Sequence, residues 1–470
     1  MHQEMQVLQE VATVKERLEE AMSTLRVDYM DVRIEDRKET RIQYLGKNLD
    51  QIGEMHSFGG CIRVKDKGRW GIVSFTAMDD LNKSIFLAAR EAKVGKAEGS
   101  EMAAVPPVKD FVKKPLKRED DPRQIPLQDK EKLVRHYNEM ILKGRRISTS
   151  SVFYKDVGLK KFFMNSEGTY IEEDRVECGM SIQAIAREGS NVQRAYDSLG
   201  GTMGFDAVRN LDDKIQYLTE SAASLLDAKP AKGGKFDCVI DQRLTGTFIH
   251  EAFGHMSESD HISENEKIRG LMEMGRTLGA EALTVVDDGT IPGCSGTNKY
   301  DDEGVASKKN YLIKDGKISG RLHSRETAGK MGEEVSGNAR ALDFRFDPIV
   351  RMTNTYIEPR DWKFDDMIKR IERGYYVKGS QGGMTNLDMF TFSAGEAYEI
   401  EKGEIKEKVR DLTLTGNIFE TLKNIEAIGD DIEMFNSGGT GGCGKGGQVP
   451  LPISRGGPHV LIRNVIVGGR

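Results

Sequence analysis

An α+β fold is predicted for this 470-residue chain by three observations. Apolar and polar positions alternate with a period of two in several separated runs, as antiparallel strands require. Stretches of helical period stand beside those runs. Midway along lies Thr247-Phe-Ile-His250-Glu251-Ala-Phe-Gly-His255-Met, an apolar helical segment whose two histidines are spaced wrongly for one regular helical face. The expected architecture has antiparallel sheets flanked by helices in the N-terminal half. It is followed by a β-rich C-terminal domain carrying a distorted H-E-x-x-x-H helix. The length exceeds one ordinary core, so several units are expected. They are an N-terminal α+β domain (1–95), a linker (96–127), a middle α+β region (128–232) and the C-terminal domain (233–470).

Residues 5–25 read as an amphipathic helix through Leu8, Val11, Leu18, Met22 and Leu25. Four strands are then expected at Val32/Ile34, Ile42/Tyr44, Ile62/Val64 and Trp70/Ile72, with Asp66-Lys-Gly68 as a turn. A second helix is expected from Thr76, which can cap it with Asp79 three residues on, through Leu81, Ile85 and Ala89. Residues 94–126 hold five of the twelve prolines and read as a connection laid over the surface. A short helix around Leu133, Tyr137 and Ile141 follows, then strands from Ile147 to Arg187 with a hairpin turn at Asn165-Ser-Glu-Gly168. A helix from Val208 to Leu225 ends before Pro230. The C-terminal region opens with a buried strand, Phe236–Ile240, feeding the histidine helix. Beyond it, a strand from Leu283 to Val286, two hairpins (Tyr311–Ile318 and Tyr398–Ile405) and a last strand, Val460–Val467, are expected.

Composition narrows the function. Charged residues are 31% and apolar residues 38%, as in soluble globular proteins. A net charge of −6 without a long Lys/Arg run argues against nucleic acid as a partner. No apolar run reaches membrane-spanning length, and the first residues lack the basic and apolar regions of a signal peptide. Cys61, Cys178, Cys238, Cys294 and Cys443 are odd in number and show no C-x-x-C spacing. Reduced thiols and a cytoplasmic location are expected from that pattern.

The central motif departs from H-E-x-x-H, in which histidines four apart share one face with a glutamate base. At 3.6 residues per turn, a five-residue step turns the second imidazole about 140° from the first. Both reach one metal only if the helix is distorted, as by an i→i+5 π-bulge, which Gly254 would ease. The bland alternative is two core histidines satisfied by backbone. A catalytic zinc site also needs a third protein ligand. Glu258, Asp260 and His261 are local candidates. The distant one is Cys443, in the glycine-rich Gly438-Gly-Thr-Gly-Gly-Cys443-Gly-Lys-Gly-Gly447. That loop lacks the G-x-x-x-x-G-K-[ST] pattern of a phosphate cradle, and it can also be read as a plain flexible loop.

Several strings together resemble the TldD/PmbA family, specifically its TldD branch of zinc metalloproteases. They are His250-Glu-Ala-Phe-Gly-His255, Thr284-Val-Val-Asp-Asp-Gly289, Asp301-Asp-Glu-Gly304, Gly337-Asn338 and Arg351-Met-Thr-Asn-Thr-Tyr356. Phe392-Ser393, Glu396-Ala-Tyr398, Cys443-Gly-Lys with Gly447-Gln448, and Val467-Gly-Gly469 complete the order. The resemblance implies a C-terminal metalloprotease domain, zinc held by His250, His255 and Cys443, and Glu251 as the catalytic carboxylate. It also implies a dimer, either with itself or with a PmbA-like subunit. Short or unfolded peptides are the expected substrates, because main-chain hydrogen bonds along a strand read a peptide without demanding one sequence. Met256-Ser-Glu-Ser-Asp260 departs from the branch's glycine-containing string. Asp301, Asp302, Asn354 and Tyr356 are either cleft residues or ordinary turn and strand-end residues. A peptide is expected to bind as an extended strand against a sheet edge in the β-rich region. Two other readings are a binding module of gyrase-modulator type with a structural metal, and a hydrolase using Cys443 as nucleophile.

Overall fold

Residues 14–94, 101–386, 388–437 and 439–469 are described in this computed structural model. The first expected helix is present as α1 over 14–23, and its expected N-terminal part lies outside the described residues. The two runs at Val32/Ile34 and Ile42/Tyr44, expected as separate strands, form one strand, β1 (Tyr29–Leu45). The charged stretch between them does not interrupt it because both edges are hydrogen-bonded. β2 (Asn48–Asp66) pairs along one side and β5 (Ile147–Asn165) along the other. With β3 (Arg69–Phe75), β4 (Lys109–Lys113), β6 (Tyr170–Glu188) and β7 (Asn191–Gly201) they build a seven-stranded sheet. The first and middle regions thus share one continuous sheet. β4 falls inside the expected linker, running parallel to the start of β6.

The second expected helix starts later than Thr76. A 3-10 turn, Met78–Asp80, precedes α2 (Leu81–Val94), and the capping position is Ala77, without a side-chain cap. Asp79 is engaged by Arg17 at 2.9 Å instead of closing a capping box. α3 (Leu127–Leu142) and α4 (Asp212–Leu225) follow. The hairpin at Asn165–Gly168 forms as expected, with the Asn165 side chain accepting from Glu167 and Thr169 N–H groups.

Even-numbered residues of β1 explain how one sheet serves two cores. Met30, Val32 and Ile34 pack with α1 and α2 near one end, and Ile42 and Tyr44 pack with α3 and α4 near the other. Odd-numbered residues point to the opposite face. There Asp31, Arg33 and Glu35 are buried as charged groups against the C-terminal domain. Arg33 donates to the carbonyls of Asp343 (2.9 Å) and Phe346 (3.0 Å), and Arg63 bridges Asp31 (2.6 Å) and Glu303 (3.1 Å). Asp302 meets Lys161, with Arg33 at 3.7 Å.

This polar seam gives a first prediction. Burial alone would raise the Asp302 carboxyl, but Lys161 and Arg33 hold it well below the ordinary carboxylate range. Its stabilisation is therefore present above the unfolded value of about 3.9 and lost as pH falls through the lower folded value. Asp302→Ala leaves half-buried Lys161 without its carboxylate, while Arg33 keeps Glu35 and two carbonyls, and is expected to cost about 2–3 kcal/mol at neutral pH. Urea unfolding would show this as a lower midpoint at unchanged slope; a cost below about 1 kcal/mol would place the pair in the weak, exposed class.

Five C-terminal strands close on themselves. Gly234–Ile240 pairs with Arg373–Asn386 and Val460–Gly468, and the ring is completed through Met389–Glu401 and Thr413–Asn417. A six-stranded sheet packs beside it, with Glu433–Asn436 at one edge, Ser454–Gly457 next and Asn354–Ile357 beyond. Both expected hairpins are present, with left-handed pairs Asp315/Gly316 and Lys402/Gly403 at their tips. The histidine helix lies between ring and sheet, in the largest apolar cluster of the chain. No helix among the described residues is long and apolar enough to cross a membrane.

Candidate metal centre

The helix that carries the motif, α5 (Gln242–Ile249), is started by Asp241, whose carboxylate accepts from the N–H groups of Leu244 (2.8 Å) and Gly379 (2.9 Å). One carboxylate thus caps the helix and ties it to the ring strand Arg373–Asn386. On its other side, α5 touches the Ser454–Gly457 strand at Gly246. A Cβ there would meet Gly456 N at 2.5 Å, so only glycine permits this approach.

After Ile249 the helix widens into a π turn over His250–Gly254, and the His255 N–H bonds back to the His250 carbonyl. That i→i+5 bond takes up the surplus residue of the five-residue spacing. The two imidazoles consequently lie close, ring centroids 5.0 Å apart. Gly254 does not act through backbone freedom, as the sequence reading supposed. Its φ of −52° is ordinary helix, and its lack of a side chain makes room for Met352, whose sulfur would lie 2.1 Å from a Cβ.

Cys443 arrives from the far end of the chain. Its strand, Cys443–Lys445, pairs with Gln448–Leu451 around left-handed Gly446 and Gly447. Arg351, wholly buried, anchors this hairpin by donating to the carbonyls of Cys443 (2.9 Å) and Gln448 (3.2 Å). The thiol then lies 3.2 Å from His255 Nε2. Ligand atoms of His250, His255 and Cys443 all fall within 4.8 Å of one another, so the structure brings together the three residues named from the sequence.

Surroundings set the charge of each group. Burial, then the neighbouring His255, push His250 well below the usual histidine range, and its Nδ1 is buried without a partner. For His255 burial works the other way from its neighbours; hydrogen bonds to Cys443 and Glu258 prevail and raise it to about 10. Glu258 would be raised by burial, but its bonds to His255 Nδ1 (3.1 Å) and Lys445 (3.1 Å) hold it below the ordinary range. Glu251 is half-buried and raised, with burial the main cause.

The donor set suits zinc. Two imidazoles and a thiolate are its preferred protein ligands, and bond lengths of about 2.0–2.3 Å put tetrahedral ligand atoms about 3.3–3.8 Å apart. The His255–Cys443 separation is close to that range, and the buried Nδ1 of His250 has no protein partner to compete with a ligand role.

The other local candidates are occupied elsewhere. Glu258 orients His255 from behind, Asp260 is held by Lys445 at 2.7 Å, and His261 is exposed. Asp301 accepts three backbone N–H groups in a turn, Asp302 belongs to the charged seam, and Asn354 bridges Gly296 N and Asp288 O. Tyr356 is buried in the six-stranded sheet. Sequence reasoning missed Arg351 and Lys445, although both stand inside strings it singled out.

Fold and site together define an α+β protein with a His/His/Cys cluster assembled from a π-distorted helix and a distant hairpin. Models of the three PmbA/TldA metallopeptidase domains match residues 30–94, 120–229 and 233–469. A metalloprotease of Synechocystis is 40% identical over 98% of this chain and 99% of its own length. One of Methanothermobacter thermautotrophicus is 37% identical over 94% and 96% respectively. A zinc metalloprotease TldD homolog of Saccharolobus solfataricus is 32% identical over 69% of this chain and 72% of its own. The fold is also that of TldE from Thermococcus kodakarensis, with TM-score 0.74, 20% identity, and 96% and 100% of the two chains covered. A Thermotoga maritima protein described as a candidate modulator of a DNA gyrase gives a TM-score of 0.79 at 20% identity, covering 97% and 100%. The chain belongs to the PmbA/TldD family of metallopeptidases.

Proposed function

We propose that this chain is a zinc-dependent peptidase of the TldD branch, hydrolysing peptide bonds in short or unfolded polypeptides in the cytoplasm. The observation that carries the reading is the convergence of His250, His255 and Cys443 within 4.8 Å, with Glu251 one residue from the first ligand. Bound zinc supplies a Lewis acid that polarises a peptide carbonyl and lowers the pKa of water to roughly 7. His250 is kept neutral by burial and offers a ring lone pair. Glu258 fixes the ring of His255 through Nδ1 and leaves Nε2 facing the thiol. Arg351 holds the Cys443 hairpin in register with both. Glu251 takes a proton from water and passes it to the leaving amine. The closed ring offers no edge to a peptide, whereas Glu433–Asn436 is the edge strand of the six-stranded sheet and contacts the histidine helix, the place we assign to an extended substrate. A second copy or a PmbA-like subunit is the expected partner.

The test is metal content and cleavage of an unstructured peptide by purified protein, alone and with a PmbA-like subunit, before and after chelation. About one zinc per chain and cleavage that chelation abolishes and zinc restores are expected. Bound zinc with no cleavage in any combination would favour the binding-module reading, for which the description of the Thermotoga protein speaks. Well-folded protein that takes up no zinc would overturn the metal site.

A further inference from the structure

Arg455 stands on the strand that packs against the histidine helix, and it differs from the buried arginines. Arg33, Arg63, Arg340 and Arg351 each direct their guanidinium at carbonyls or carboxylates of the protein. Arg455 makes no side-chain hydrogen bond or ion pair with any described residue. It lies deep yet keeps part of its surface open. Its strand, Ser454–Gly457, is the one Gly246 packs against, and the register sets Arg455 opposite Phe435 of the edge strand. Besides the effect of its surroundings, the groups that act on its charge are Arg243, Glu251, Tyr196 and Cys443.

The contrast with Arg243 is instructive. That guanidinium is neutralised by Asp197 of β7, donates to Ser198 O at 3.1 Å and stacks 4.9 Å over the Phe435 ring. Two cations therefore flank Phe435, one satisfied and one not. The Glu251 carboxylate stays outside ion-pair distance of Arg455 and is left to its proton chemistry. A guanidinium that solvent still reaches and no protein anion occupies is open to a ligand anion, and its planar fork matches a carboxylate through two parallel bonds.

We propose that Arg455 is a carboxylate subsite, so that the preferred substrates are peptides with a free carboxylate near the scissile bond. That carboxylate is either the C-terminus or an acidic side chain. The proposal rests on the peptidase reading of the adjacent cluster, because it is that cluster which makes this face of the histidine helix a substrate site.

The experiment measures equilibrium binding of three short peptides to zinc-loaded Glu251→Gln protein, in which the peptides survive the titration. One has a free C-terminus and neutral side chains, one an amidated C-terminus and an acidic side chain, and one is amidated and neutral. At least one carboxylate peptide is expected to bind about 10–100-fold tighter than the neutral one, the worth of a charged bidentate pair. The peptide that gains identifies the source of the carboxylate. Adding Arg455→Gln should erase the preference, and Arg455→Lys, which keeps the charge without the fork, should retain part of it and covers the case of a Gln variant that does not fold. Equal binding of all three peptides, or a preference that survives in the folded Arg455 variants, would overturn the proposal. Wild-type cleavage is measured in parallel. Cleavage without a carboxylate preference sinks the subsite alone, and a preference without cleavage sinks the peptidase reading alone.

Discussion

Glu251→Gln is expected to keep its full zinc content and lose peptide cleavage by about 10²–10⁴-fold, the usual worth of a positioned acid–base group. The amide is nearly isosteric with the carboxylate, so packing in the π turn is preserved while the proton acceptor is removed. No ligand atom is touched, since Glu251 makes neither of the hydrogen bonds that orient His255 and Cys443. The loss should appear mainly in kcat, because the group acts in the transition state. The wild-type pH profile carries the same information. Burial raises Glu251 above the ordinary carboxylate range, opposed by the charges of His255 and Arg455. Only the deprotonated form accepts a proton, so the rate should fall on the acid side at a pH higher than an unperturbed glutamate gives. Single-turnover rates of both proteins across pH 5–8 would check this. A Gln variant that cleaves at more than a tenth of the wild-type rate would remove Glu251 from the mechanism.

The His250, His255 and Cys443 cluster was more legible in the sequence than the N-terminal fold, for physical reasons. Five-residue spacing of two histidines on an apolar helix has few geometric solutions, and a π turn is the one found at His250–Gly254. The hairpins at Asp315/Gly316 and Lys402/Gly403 were legible because left-handed tips demand particular residues. β1 was misjudged as two strands because local alternation cannot reveal that its charged middle is hydrogen-bonded on both edges. The same blindness hid β4, whose partner lies sixty residues on. Thr76 was read as a cap from local spacing, while Arg17, from another helix, claims Asp79. Arg351 and Arg455 could not be told apart in sequence. What separates them is whether a carbonyl awaits the guanidinium, and that depends on strands brought together only in the fold.

Cys443 has two chemically distinct roles open to it, ligand or nucleophile, and removing the sulfur tests which it plays. Cys443→Ala deletes a single atom from a buried site and leaves the hairpin anchored by Arg351 through main-chain carbonyls. Stability should therefore change by no more than about 1 kcal/mol. Loss of one of three ligands should weaken zinc binding by more than the roughly 10–100-fold that loss of an outer hydrogen-bond partner costs. Cleavage should disappear with the metal and return in part at high zinc. A nucleophile behaves otherwise: its loss is not rescued by zinc, and the wild-type enzyme would survive chelation. Arg351→Met supplies the complementary result. It leaves the thiol in the sequence but strands the Cys443 and Gln448 carbonyls, each at a cost of about 1–3 kcal/mol, so stability and zinc affinity should fall together. Thermal unfolding and zinc titration of the two variants side by side thus separate what the sulfur contributes from what its placement contributes. Zinc affinity unchanged in Cys443→Ala would remove the thiol from the ligand set.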